Sequence, residues 1–170
     1  RPVIYHIENA LSKLKVGPLP QLYRGMPHAV TGYDEGTFVL WDAFSSSTSD
    51  ANIVKQFTDE VNCSGTIFIL KPLAESHGRC INFLSEFKEE SEVLFRPNTW
   101  FRVQQKLGQG PKQLLAHHLG ISLEGIDVYE LEEMDHCTVT LEHNKHRQSL
   151  IQLREGQQQR RRMYSERLIE

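Results

Sequence analysis

Apolar positions recur every three or four residues at the start of the chain, where Ile4, Ile7, Leu11 and Leu14 precede Gly17, Pro18 and Pro20. That period puts them on one helix face, and the glycine and prolines stop it, so the spacing predicts an amphipathic helix over 3–15. Short runs bounded by turn formers follow. Residues 21–26 read as a strand carrying Tyr23-Arg24-Gly25, and 37–44, rich in Phe, Val, Leu and Trp, read as a second. The second strand delivers the chain into five consecutive hydroxyl residues, 45–49. Asp50 is placed to cap a short helix running to Phe57, since its carboxylate can accept the free amides of a first turn. Residues 65–71 form an apolar, partly β-branched run ended by Pro72, the pattern of a buried strand. Residues 91–95 and 100–105 read as two more strands, with a hairpin-like connection at Pro97. Residues 112–119 have helical character and meet Gly120 as a C-terminal cap. Residues 126–132 are a further core strand with Val128 and Leu131 inward, and alternation over 137–142 suggests one more. Several short strands, few helices and no regular strand–helix alternation predict an α+β fold built on mostly antiparallel sheet.

Composition narrows the class. At 170 residues with 39% hydrophobic and 24% charged side chains, the chain has the size and make-up of one ordinary domain, which we place at 1–144 with an extension at 145–170. Nineteen basic against 22 acidic residues give a net charge of −3, which argues against a nucleic-acid-coating polycation. The charge is uneven: 1–144 carries 12 basic and 19 acidic residues, whereas 145–170 carries 7 and 3. The extension is basic, holds the cluster Arg160-Arg161-Arg162, and reads as helical or frayed. No apolar run reaches the ~18 residues of a membrane span. Three cysteines without Cys-x-x-Cys spacing suit neither a disulfide framework nor a zinc ribbon. His117, His118, Cys137, His143 and His146 offer donor types but no paired ligand spacing, so no metal is expected. The first residue is Arg1 rather than methionine, so the segment reads as an excised domain or mature product, and its compartment is left open.

Three features could carry chemistry. Glu86, Glu89, Glu90 and Glu92 crowd four carboxylates together, which is either a solvated loop or a site that meets a cation. In an extended strand Glu90 and Glu92 point to the same side, and paired carboxylates repel unless a cationic partner or transition state shares the site. Arg24 followed by Gly25 at a strand end is either a surface turn or an anion grip, with a guanidinium fork beside bare backbone. The serine run is either a self-satisfied turn or a hydroxyl that holds a carboxylate in place.

Taken in order, these features resemble the R-S-E class of mono-ADP-ribosyltransferases, which includes arginine-specific ecto-enzymes and clostridial toxins. The aromatic-Arg-Gly motif is matched by Tyr23-Arg24-Gly25. The Ser-Thr-Ser motif is matched by Ser47-Thr48-Ser49, and Glu-x-Glu-Val-Leu by Glu90-Ser91-Glu92-Val93-Leu94. The likeness covers about residues 3–133 and implies a split β-sheet core with peripheral helices around an NAD cleft. By that resemblance Glu92 is the catalytic carboxylate and Ser47 orients it. Arg24 and Gly25 bind NAD phosphate and carboxamide, and Glu90 selects a guanidinium acceptor. Two serines separate Phe44 from Ser47 where the family usually has one residue, so Ser46 is the other candidate for orienting Glu92. Phe87 is either a substrate contact or a loop anchor, and Arg79 either a second phosphate ligand or a surface residue.

The implied reaction is transfer of ADP-ribose from NAD to protein arginine, with nicotinamide released and the basic tail open to self-modification. Two other readings are an NAD glycohydrolase and a catalytically silent binding module of the same fold. NAD is the expected co-substrate, a protein with an exposed arginine the expected partner.

Overall fold

The computed structural model describes residues 2–51, 64–85 and 91–167. The helix expected from Asp50 to Phe57 falls largely outside those residues, as do Glu86, Phe87, Glu89 and Glu90. Two compact units are present, Arg1–Met134 and Asp135–Glu170.

The first unit opens with helix α1 (Pro2–Ser12). Of its expected apolar stripe only Leu11 is buried, while Ile4 and Ile7 remain exposed. Glu8 lies 3.6 Å from Arg96, an ion pair that ties the helix to the residues following a strand of the sheet. The strands are β1 (Leu22–Met26), β2 (Phe38–Trp41), β3 (Ser45–Thr48), β4 (Gly65–Lys71), β5 (Gly78–Cys80), β6 (Glu92–Phe95), β7 (Thr99–Lys106) and β8 (Ile126–Met134). Helix α2 (Gln109–Leu119) lies between β7 and β8 in the chain. It ends at Gly120, whose φ of 63° is a left-handed conformation that a residue without Cβ adopts at little cost.

The strands pair in the order β2-β7-β8-β4-β1-β3-β6-β5. Among the described residues only β4 and β8 run parallel; the other pairings are antiparallel. This is the α+β, mostly antiparallel architecture expected. Five strands on one side meet three on the other through a single register pair, Tyr23 with Thr48. The narrow junction gives physical form to a split sheet. The hairpin expected at Pro97 is absent: β6 pairs with β3 and β5, whereas β7 pairs with β2 and β8. Residues 96–98 therefore carry the chain between the two strand groups, with Asn98 at a positive φ of 63°.

Strand β4 explains why the sheet needs cover on both faces. Its alternate residues feed two clusters, Phe68 and Leu70 packing with Trp41, Phe95 and Phe101, and Ile67 and Ile69 packing with Leu123, Ile126 and Val128. Partly buried Leu115 and Ala116 of α2 pack on the second cluster. An apolar run without alternation is what a strand buried on both faces requires.

The second unit is the helix α3 (His136–Arg167). The strand expected at 137–142 is thus its first turns. Asp135 caps it, accepting the Thr138 amide at 2.9 Å and the Thr138 hydroxyl. Those bonds hold the Asp135 carboxyl below its ordinary pKa. A side chain that captures a first-turn amide fixes a helix start, and here it outweighs the alternation that follows.

Candidate functional site

The site grows from the register of β3 against β6. Antiparallel partners share a face. Ser46 is paired with Leu94 and Thr48 with Glu92, so these four lie on one side, while Ser45 and Ser47 lie with Phe95 and Val93 on the other. The Ser46 hydroxyl, exposed, donates to Glu92 Oε1 at 2.6 Å. Ser47 is buried at 4% exposure, and its hydroxyl donates instead to the Val93 carbonyl at 2.9 Å. This corrects the assignment of Ser47 as the residue that orients Glu92. Side-chain alternation turns Ser47 into the sheet and leaves Ser46 diagonal to the carboxylate. The extra serine between Phe44 and Ser47 was the sequence signal for it.

Ser46 also faces the other strand group. Its carbonyl accepts a hydrogen bond from Arg24 Nη1 at 2.5 Å. One residue therefore joins the guanidinium on β1 to the carboxylate on β6, across the junction of the sheet. Arg24 is half-buried, and its guanidinium carbon sits over the Trp41 ring, 5.5 Å from the centroid. Burial pushes the Arg24 pKa below its ordinary value, with the Tyr33 phenol acting in the opposite direction. An arginine nonetheless keeps its charge. Gly25 follows in β1, half-buried and paired with Ile67 of β4.

Glu92 is the first residue of β6 and is half-buried. Before it, Ser91 adopts a φ of 48°, so the extended conformation expected to align Glu90 with Glu92 does not run through Ser91. A left-handed non-glycine residue costs roughly 1–2 kcal/mol relative to its preferred conformations. Neighbours hold this stretch in place. The Ser49 amide donates to the Ser91 carbonyl at 3.4 Å and the Ile81 amide to the Glu92 carbonyl at 3.0 Å.

Arg79, on β5, is paired with Leu94 and so shares the face of Ser46 and Glu92. It is only 7% exposed, and its Nη1 is spent on the carbonyls of Ser76 at 2.5 Å and Gly78 at 2.7 Å. One arm of the fork expected to grip a second phosphate is therefore engaged by its own loop, while among the described residues the buried Nε has no hydrogen-bond partner. Burial, with Arg96 nearby, lowers its pKa. The loop that delivers Arg79 is anchored by Glu133. This fully buried carboxylate accepts the amides of Leu73 at 3.0 Å and His77 at 2.6 Å. Nothing in the local sequence marked Glu133, since its partners lie far along the chain. Trp41 also went unmarked, because an aromatic in an apolar run reads as core, and so did Tyr33, which lies in a polar stretch between Gly32 and Gly36.

The arrangement can hold an anion at Arg24 and stabilise a cation at Glu92. Among the described residues no group of His, Cys, Asp or Glu is arranged to hold a metal, and no helix is long and apolar enough to cross a membrane.

Comparison with known proteins gives the family and the fold. A family model described as NAD:arginine ADP-ribosyltransferase matches residues 1–118. The chain belongs to that family. The fold is similar to that of Vis, an ADP-ribosyltransferase from Vibrio splendidus, in its complex with agmatine. There the identity is 23%, the TM-score 0.60, and the match covers 81% of this chain and 59% of that one. The Salmonella SpvB ATR domain matches at 21% identity and a TM-score of 0.61, over 78% of this chain and 70% of that chain. Exoenzyme S from Pseudomonas aeruginosa, in complex with human 14-3-3 protein beta and bound to carba-NAD, matches at 17% identity and a TM-score of 0.57, over 77% and 56%. The chain spans less than two thirds of the Vis structure's length. No curated protein sequence matches it.

Proposed function

We propose that this chain is an NAD-dependent mono-ADP-ribosyltransferase that transfers ADP-ribose from NAD to arginine side chains of proteins and releases nicotinamide. The observation that carries the reading is the continuous bridge from Arg24 through Ser46 to Glu92. Breaking the nicotinamide–ribose bond develops positive charge on the ribose, and a fixed carboxylate beside it lowers the barrier electrostatically. Glu92, aimed by the Ser46 hydroxyl, has that role. Arg24 pairs with a phosphate of the dinucleotide through donors not engaged by Ser46, and the Gly25 backbone takes the carboxamide. Glu90 and Phe87 contact the arginine acceptor, the carboxylate pairing with the guanidinium and helping to remove its proton. Family membership supports NAD as substrate, and the carba-NAD bound to exoenzyme S and the agmatine bound to Vis fit the same chemistry.

Labelled NAD with agmatine as acceptor tests the proposal, following nicotinamide release and label transfer together. Glu92→Gln is expected to lower both by about 10³-fold. Glu90→Gln is expected to suppress transfer while leaving NAD hydrolysis. Nicotinamide release without transfer in the unmodified protein makes it a glycohydrolase; no release from a folded sample makes it a binding module. Label on Arg160, Arg161 or Arg162 is the mass-spectrometric sign of self-modification.

A further inference from the structure

The indole of Trp41 is clamped on almost every side. Phe101 lies 4.4 Å from it between ring centroids, Phe68 5.6 Å and Phe95 6.3 Å. Its Nε1–H donates to the Tyr33 hydroxyl at 3.1 Å. Tyr33 in turn stacks against Phe68 at 5.0 Å and Tyr129 at 5.7 Å. The loop that carries Tyr33 is itself fixed. Thr37 closes a turn by donating its amide to the Asp34 carbonyl at 3.0 Å, and Gly36, at a φ of 81°, supplies the left-handed residue such a turn needs. The Gly36 amide then donates to the Val103 carbonyl at 2.8 Å and the Val103 amide to the Thr37 carbonyl at 2.9 Å. A loop, a strand and the aromatic core thus converge to hold one ring face, and the group over that face is the Arg24 guanidinium.

An aromatic face attracts a cation through its quadrupole, most strongly when the cation is partly desolvated and the ring is tryptophan. The Ser46 carbonyl fixes one nitrogen of Arg24. Among the described residues Ser46 is the one hydrogen-bond partner of the Arg24 side chain, and a single hydrogen bond leaves a guanidinium free to rotate about it. The ring supplies the second constraint.

We infer that Trp41, steadied by Tyr33, is a positioning residue for Arg24, setting the plane of the guanidinium so that its remaining donors face the pyrophosphate of NAD. This inference rests on the proposed role of Arg24. It places substrate affinity partly in a core tryptophan and a loop tyrosine.

The test compares Trp41→Leu, Trp41→Phe and Tyr33→Phe by nicotinamide release, with KM measured for NAD and for agmatine separately. Trp41→Leu is expected to raise KM for NAD on the order of ten-fold. Trp41→Phe, which keeps an aromatic face, recovers most of that, and Tyr33→Phe gives a smaller rise. KM for agmatine stays put in all three. Val128→Ala, in the cluster on the opposite face of the sheet, is the control for general loosening and lowers Tm without moving KM for NAD. In an Arg24→Lys background, Trp41→Leu adds less than its effect alone, because the two share one interaction. Equal shifts of both KM values, an equal effect of Val128→Ala, or full additivity overturns the inference. Should the unmodified protein release no nicotinamide, it is the proposed function that fails. The coupling is then read from thermal denaturation of Arg24→Met, Trp41→Leu and the double variant, where non-additive Tm shifts support the pairing and additive ones overturn it.

Discussion

Strands β3 and β4 are opposites in composition and yet both are buried. β4, Gly65–Lys71, is apolar apart from Thr66 and its last residue, and six of its seven residues are buried. β3, Ser45–Thr48, consists only of hydroxyl residues, and three of its four are buried. Burial stabilises β4 directly, at roughly 25 cal/mol for each Å² of apolar surface removed from water. In β3 burial is tolerated only because the hydroxyls have partners, since a buried hydroxyl without one is costly. Ser45 donates to the Ala43 carbonyl, Ser47 to the Val93 carbonyl and Thr48 interacts with Asp50. The exposed member, Ser46, uses its hydroxyl on Glu92. One strand builds the core, and the other builds a polar surface whose geometry is fixed by the core beneath it.

That contrast can be attacked from either side. Phe68→Ala removes the centre of the aromatic cluster and is expected to destabilise the protein by about 3–5 kcal/mol. Chemical denaturation measures the loss, and a value well under ~2 kcal/mol would mean that the cluster collapses to fill the gap. Gly78→Ala perturbs the serine strand's side of the sheet. A Cβ there would lie 2.9 Å from Val93, 3.0 Å from Leu19 and 3.2 Å from Phe95. The β-branched Val93 and the ring of Phe95 cannot both move aside freely, so about 1–3 kcal/mol of destabilisation is expected. Tm compared with the unmodified protein checks it. A neutral result would show that this smaller strand group is loosely packed and poorly suited to hold Glu92 still.

The two strands also differ in how far they could be read from sequence. β4 was legible to the residue, because an apolar β-branched run ended by proline has few other solutions. The helix ending at Gly120 and the core strand from Ile126 were legible for the same reason, each resting on a local signal. β3 read as a strand-to-helix turn, since serine and threonine favour turns until partners elsewhere in the chain claim their backbone. Those partners, in β6, lie 46 residues away. Three-residue β5 left no pattern at all. Residues 137–142 alternate like a strand but begin a helix, because Asp135 captures the Thr138 amide. At the site, Arg24, Gly25 and Glu92 were picked out by their motifs. The choice between Ser46 and Ser47 required the register, which no local pattern encodes. Arg79 was picked out as a charge, but its burial depends on a loop held by Glu133.

The bridge proposed to aim Glu92 turns on Ser46 being the serine that holds it, and NAD cleavage by Ser46→Ala and Ser47→Ala separates the two serines. Ser46→Ala is expected to lose nicotinamide release by up to ~10²-fold, the scale of a misplaced catalytic group. Ser47→Ala is expected to keep its activity while losing about 1 kcal/mol of stability with its buried hydrogen bond. The reverse result, activity lost with Ser47 and retained without the Ser46 hydroxyl, would contradict the assignment.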